Sequence, residues 1–218
     1  MPLETLKWKQ TVERIRADRE RLSAFQASLG CENPRWLLLR PSFLCVFLHR
    51  VSHHFYCRGH QYIARFVWHL NVILTGADIS APNDLEGGLL VVSPAGIAIM
   101  GKAGRNLTVM PCAGLGSELG RWQDIGAGPG LPVLGDDVIL EPHSGVLGPT
   151  RIGNRVRIGA GIAVTFDVPD DTLVEGPRPR VIKRRAVLAK CSPPIASPRA
   201  MVPLLGYGRT CRRILFAT

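Results

Sequence analysis

The sequence predicts a mainly β protein: a parallel β-helix of about four coils, with an α-helical domain before it and an extended tail after it. Three observations lead there. Aliphatic residues recur at every sixth position through the middle of the chain, residues 1–76 show helical spacing instead, and residues 183–218 are rich in Pro and Arg.

The helical region comes first. Trp8, Val12, Ile15, Leu22, Phe25 and Leu29 are spaced by three, four or seven residues, and Gly30 stands where a helix would stop. A second apolar and basic stretch runs from Trp36 to Leu74, with Pro41 placed to begin a helix and Gly59 to separate two. Arg40, Arg50, Arg58 and Arg65 interleave there with Phe, Leu and Trp, a pattern that suits a membrane surface or, more blandly, packing against another subunit.

In the middle region, residues 77–182, the spacing changes. Ile79, Leu85, Val91, Ile97, Ala103, Val109 and Leu115 are six apart, and the phase resumes at Leu134, Leu140, Val146, Ile152, Ile158 and Val164. A helix repeats at 3.6 and a simple strand at 2, so a period of six calls for short strands separated by corners. Three such strands make one coil, with each aliphatic residue pointing into the prism. The residue two positions earlier, such as Ala77, Leu89, Ala95 or Val156, points inward by alternation. Gly, Asn and Asp at Gly135-Asp136-Asp137, Gly153-Asn154-Arg155 and Gly159-Ala160-Gly161 fit the corners. Residues 116–133 break the phase and are expected to form a loop extruded from the prism.

Several stretches, PSFLCVFLHRVSHHFYCRGH (41–60), LTGADI (74–79), PAGIAIMG (94–101), the inserted loop and DVPDDTLVEGPRPRVI (167–182), carry a resemblance. With them the chain resembles the hexapeptide-repeat acyltransferases, and within these the serine acetyltransferase-like branch. The resemblance implies a left-handed β-helix, homotrimers or dimers of trimers assembled with the helical domain, and acetyl-CoA as acyl donor bound between neighbouring prisms. Ala160 and Gly161 would then line the donor site, and Arg178, Arg180 and Lys183 would meet the nucleotide phosphates, unless that basic run is simply solvated.

The family's Asp-Ile-His-Pro segment corresponds to Asp78-Ile79-Ser80-Ala81, its Asp-His pair to Val92-Ser93, and its Arg-His-Pro to Gly130-Leu131-Pro132. Asp78 is kept, and Ser93 and Leu131 stand where the family has histidines. One histidine remains in the repeat. His143, in GDDVILEPHSGVLGPTRIG (135–153), is similar in phase to the active-site histidine of the galactoside and maltose acetyltransferase branch. It lies three residues before the inward Val146, so alternation turns it outward. It would serve as general base for a hydroxyl or amine acceptor on a sugar or small metabolite, with Glu141 or Asp78 orienting the ring and a donor such as Asn106 at the oxyanion. The bland reading is a surface histidine at a coil corner. Correspondingly, the alternative to an enzyme is a non-catalytic homologue serving as an assembly or binding scaffold.

Charge divides along the same lines as structure. The 27 Lys plus Arg and 17 Asp plus Glu split into +6 for residues 1–76, −6 for 77–176 and +10 for 177–218. The six cysteines form no C-x-x-C pair, and His49, His53 and Cys57 at helical spacing read as interface packing, so no metal is expected. The tail has one pair of aromatics, Tyr207 and Phe216, and no recognised module, which makes nucleic acid an unexpected partner. No apolar run approaches the roughly 20 residues of a membrane span. The expected location is the cytoplasm, with peripheral membrane contact through the helical region left open.

Overall fold

The computed structural model describes residues 8–30, 40–177 and 180. The chain divides into two units, 1–177 and 178–218. In the second unit Arg180 is exposed; Arg178, Lys183 and the tail 183–218 lie outside the described residues, as do Trp36, Cys31, Cys191 and Cys211.

Among the described residues three helices open the first unit: α1 (Trp8–Ser28), α2 (Pro41–Cys57) and α3 (Gln61–Thr75). Their limits follow the punctuation in the sequence. Gly30 and Gly59 adopt φ of 73° and 81° after α1 and α2, Pro41 sits in the first turn of α2, and Gly76 closes α3 in the left-handed conformation at φ 75°.

Thirteen short strands follow, β1 (Asp78–Ile79), β2 (Leu90–Val91), β3 (Ala98–Ile99), β4 (Lys102–Ala103), β5 (Thr108–Val109), β6 (Gly114–Gly116), β7 (Val133–Leu134), β8 (Ile139–Leu140), β9 (Gly145–Leu147), β10 (Arg151–Ile152), β11 (Arg157–Ile158), β12 (Ala163–Val164) and β13 (Leu173–Val174). They stack in parallel as three sheets, β1-β3-β6-β9-β12, β4-β7-β10 and β2-β5-β8-β11-β13. Leu85 and Val168 extend the shortest sheet by bridges to Ala103 and Ile152. The prism therefore has five levels, one more than the hexapeptide count implies, because Val168 and β13 continue the winding beyond Val164.

All the six-residue markers are buried, from Ile79 at 0% exposure to Leu134 and Ile152 at 3%. The phase is not uniform, however. β3 pairs Ile99, not Ile97, with Ile79. The corner after Val91 is two residues longer than expected and the side leading to Ala103 two residues shorter. Ile97 consequently takes the preceding inward position, and Ala95, expected inside, is exposed in the corner.

Composition suggested a boundary at 76/77, but packing ignores it. Asp18 of α1 and Arg50 of α2, each 1% exposed, form an ion pair at 2.8 Å. Asp18 also accepts the N–H groups of Gly88 and Leu89 at 2.8 and 2.7 Å, while Arg50 donates to the Leu85 and Glu86 carbonyls. Every polar atom of this buried pair thus ends on a helix or on the first prism level, the condition under which a buried charge is tolerated. Arg50 is spent on this clamp and is unavailable to a membrane surface.

Candidate functional site along one prism edge

The edge joining the β2-β5-β8-β11-β13 sheet to the β1-β3-β6-β9-β12 sheet turns through Gly96, Cys112, His143 and Gly161 on successive levels. All four adopt left-handed φ, at 72°, 58°, 59° and 72°. This conformation rotates each corner out of the strand, which is why glycine recurs and why the non-glycine members project outward. The rungs are tied by backbone: His143 N–H donates to Pro111 O at 3.1 Å and Gly161 N–H to Pro142 O at 3.0 Å.

His143 is exposed as alternation requires, and no hydrogen bond to its ring occurs among the described residues. Cys112, exposed one level below on the same edge, has no adjacent base in the sequence and is not among the expected site residues. The signal existed: Cys112 lies three residues before the inward Leu115, the same phase that marked His143 before Val146. Ala160 and Gly161 occupy the corner above, both exposed, and a Cβ placed on Gly161 would meet nothing within 4 Å. The edge is therefore open next to His143.

The remaining expected residues are elsewhere or otherwise engaged. Glu141 does not orient His143. Its carboxylate holds Arg157 at 2.5 Å and accepts the Ala160 N–H at 3.0 Å, bracing the corner above. Asp78 accepts the Trp68 indole N–H at 2.8 Å and lies in β1, three strands from β9. At the usual strand spacing that is about 14 Å along the prism, too far to touch the imidazole. Asn106 belongs to a different edge, where it donates to Asp137 at 2.9 Å, so it is no oxyanion donor for His143. Ser93 is half-buried in the enlarged first corner.

The inserted loop spans 117–132, between β6 and β7, and is fastened to the upper levels. Arg121 donates to Thr165 O at 2.8 Å and Arg151 to Ile125 O at 3.1 Å. Its Leu119 and Trp122 project into solvent at 92% and 62% exposure, a surface that suits contact with something outside the chain. Leu131, at the loop's return, is half-buried.

His49, His53 and Cys57 line the buried face of α2. His53 bonds Ala81 O at 3.0 Å and approaches Cys57 at 3.5 Å, while neither ring nitrogen of His49 makes a well-formed hydrogen bond among the described residues. Burial, together with the Arg50 charge, depresses the His49 pKa well below its ordinary value, and burial raises Cys57 and pushes Cys45 up to about 12. Among the described residues no group of three or more His, Cys, Asp and Glu side chains could hold a metal ion.

No family model matches the chain. Individual proteins do. The chain is 33% identical to a serine acetyltransferase of Synechococcus elongatus over 69% of its own length and 61% of that protein's, so it spans less than two thirds of this relative. It is 32% identical to a serine acetyltransferase of Mycobacterium tuberculosis, over 77% of its own length and 70% of that protein's. Among solved structures, serine acetyltransferase of Neisseria gonorrhoeae, crystallised with serine, superimposes with a TM-score of 0.68 at 26% identity, covering 77% of this chain and 67% of that one. The shared fold makes the three-sheet prism a left-handed parallel β-helix. Matched over 77% of its length to a relative of which it covers 70%, the chain belongs to the serine acetyltransferase family of hexapeptide-repeat acyltransferases.

Proposed function

We propose that the protein is an acetyl-CoA-dependent acyltransferase in which His143 is the general base. The acceptor is a hydroxyl, or an amine, of a sugar or small metabolite. The observation that carries this reading is the exposed and unpaired His143 on an edge whose next corner, Ala160–Gly161, is open. In one concerted complex the acceptor O–H gives its proton to the imidazole as oxygen attacks the thioester carbonyl. The C–S bond then breaks, and the thiolate leaves and takes up a proton as the free thiol. A pantetheine arm running along the edge would pass Ala160 and Gly161. A homotrimer is the assembly that suits this site, since the edge of one prism then faces a neighbour and its 117–132 loop.

A second reading, a non-catalytic scaffold, is favoured by Ser93, which stands where the family resemblance calls for an imidazole, and by Asp78, whose carboxylate is engaged with Trp68. Calorimetry with acetyl-CoA, followed by turnover of a panel of acceptors including serine, separates the two. The enzyme reading expects donor binding, and a loss of about 10²- to 10⁴-fold in turnover for His143→Ala. A chain that does not bind the donor is a scaffold; donor binding with full turnover in His143→Ala removes His143 from the mechanism.

A further inference from the structure

The polarity of α3 is inverted. Its fully buried residues are Ala64 and the polar Asn71 and Thr75, the polar pair satisfied by bonds from Asn71 to Cys45 O at 2.9 Å and from Thr75 to Asn71 O at 2.8 Å, with Val67, Trp68 and Leu70 only half-buried. Its outer face carries the apolar bulk: Tyr62 is 91% exposed, Phe66 70%, Ile73 78%, Leu74 55% and Ile63 46%. At 100° per residue, Tyr62, Phe66 and Ile73 point the same way, with Ile63 and Leu74 along one border. A helix turned out in this manner covers its apolar stripe with something other than its own core.

The charge around the stripe selects what that is. No Asp or Glu occurs between Glu32 and Asp78. Arg58 and Arg65 are exposed at the start of α3 and beside the stripe, and His60 and His69 are exposed with them. Pairing of α3 with its own copy would bury the stripe but leave these arginines without a counter-charge, since α2 and α3 carry no carboxylate. A surface of anionic lipid headgroups over hydrocarbon satisfies both the apolar stripe and the arginines. No helix among the described residues is long and apolar enough to cross a membrane, so the contact is peripheral.

We infer that α3 lies in the surface of an anionic membrane, with Tyr62, Phe66 and Ile73 inserted and Arg58 and Arg65 at the headgroups. This goes beyond the proposed acyl transfer and does not depend on it. The test is cosedimentation of the full chain with vesicles of phosphatidylcholine alone and of phosphatidylcholine mixed with phosphatidylglycerol, alongside light scattering without lipid. The wild-type chain should bind the mixed vesicles more tightly. Phe66→Asp combined with Ile73→Asp should lower binding to both vesicle types by at least about tenfold, since two buried apolar side chains become charged. Arg58→Gln combined with Arg65→Gln should remove the anionic preference, at about fivefold per arginine, and leave the weaker binding to phosphatidylcholine. All four positions are exposed, and circular dichroism with melting temperature checks that each variant folds; the wild-type comparison of the two vesicles needs no variant. The proposal is overturned by a wild type that binds neither vesicle, or by vesicle binding that survives the Asp pair. It is equally overturned if that pair changes the particle mass in lipid-free solution and leaves vesicle binding intact, which would make α3 a protein interface.

Discussion

At the scale of single residues, the left-handed corners decide what the prism can offer. His143 and Cys112 share one edge because both occupy the same phase of the repeat, and corners at φ near 60° turn both side chains outward. A donor whose thiol end lies at His143 comes within one rung, about 4.8 Å, of Cys112. Saturating coenzyme A should therefore slow alkylation of Cys112 by iodoacetamide several-fold, measured by peptide mass spectrometry, while buried Cys45 and Cys57 stay unlabelled throughout. Unchanged Cys112 labelling at saturation would mean that the donor's thiol end does not reach this part of the edge. The outward placement of His143 was legible in the sequence from its phase, and its proposed role from the resemblance to the galactoside and maltose acetyltransferase branch. The partner of Glu141 was not, because Arg157 lies 16 residues away and becomes its neighbour only when one coil stacks on the next. The same spacing joins Arg155 to Asp171 and Asn154 to Asp170, so pairing across rungs is written in the chain at the length of a coil, not of a hexapeptide.

At the scale of elements, the six-residue period made the prism readable, since every marker had to be inward for the strands to stack. The helices were readable only as helices. Nothing in their spacing revealed that Arg50, one of four similar arginines, is buried against Asp18, or that α3 keeps its polar face inside. Both facts depend on how α1, α2 and the first prism level meet. The clamp yields a sharp expectation. Asp18→Asn keeps shape but leaves the Arg50 charge uncompensated, and should destabilise the chain by about 3–5 kcal/mol in chemical denaturation. Asp18→Leu paired with Arg50→Leu removes both charges and should cost less than Asp18→Asn if the uncompensated guanidinium is the cause. A double variant as unstable as Asp18→Asn would show that the acceptor which Asp and Asn both offer the Gly88 and Leu89 N–H groups, absent from the double variant, counts as much as the compensating charge.

At the scale of the whole molecule, a helical region of charge +6 is seated on a prism of charge −6, and the joint is lined by neutral histidines. His49 and His53 are both depressed, first by burial and then, for His49, by Arg50, so the folded chain holds them unprotonated. The unfolded chain does not, and takes up these protons once the pH falls below the ordinary histidine value of about 6.5. Stability from this source is complete above that value and is lost as pH falls from it toward the depressed folded values, with a slope approaching about 1.4 kcal/mol per pH unit for each histidine. Asp170 and Asp171 act in a lower window. Hydrogen bonds from Asn154 and Arg155 hold them below the usual carboxylate range, so their contribution persists until pH falls past about 4. The melting temperature should accordingly be level above about pH 7 and fall through the histidine window, by about 2–4 °C for each kcal/mol lost. A further drop should come with the carboxylates. In His49→Leu the first fall should shrink, because the buried ring that gains nothing from its unpaired nitrogens is gone. The variant should match or exceed the wild type near neutral pH and exceed it clearly near about pH 5.5. A wild-type profile level down to the carboxylate window would mean that the joint between helices and prism opens locally and hydrates these rings before the molecule unfolds.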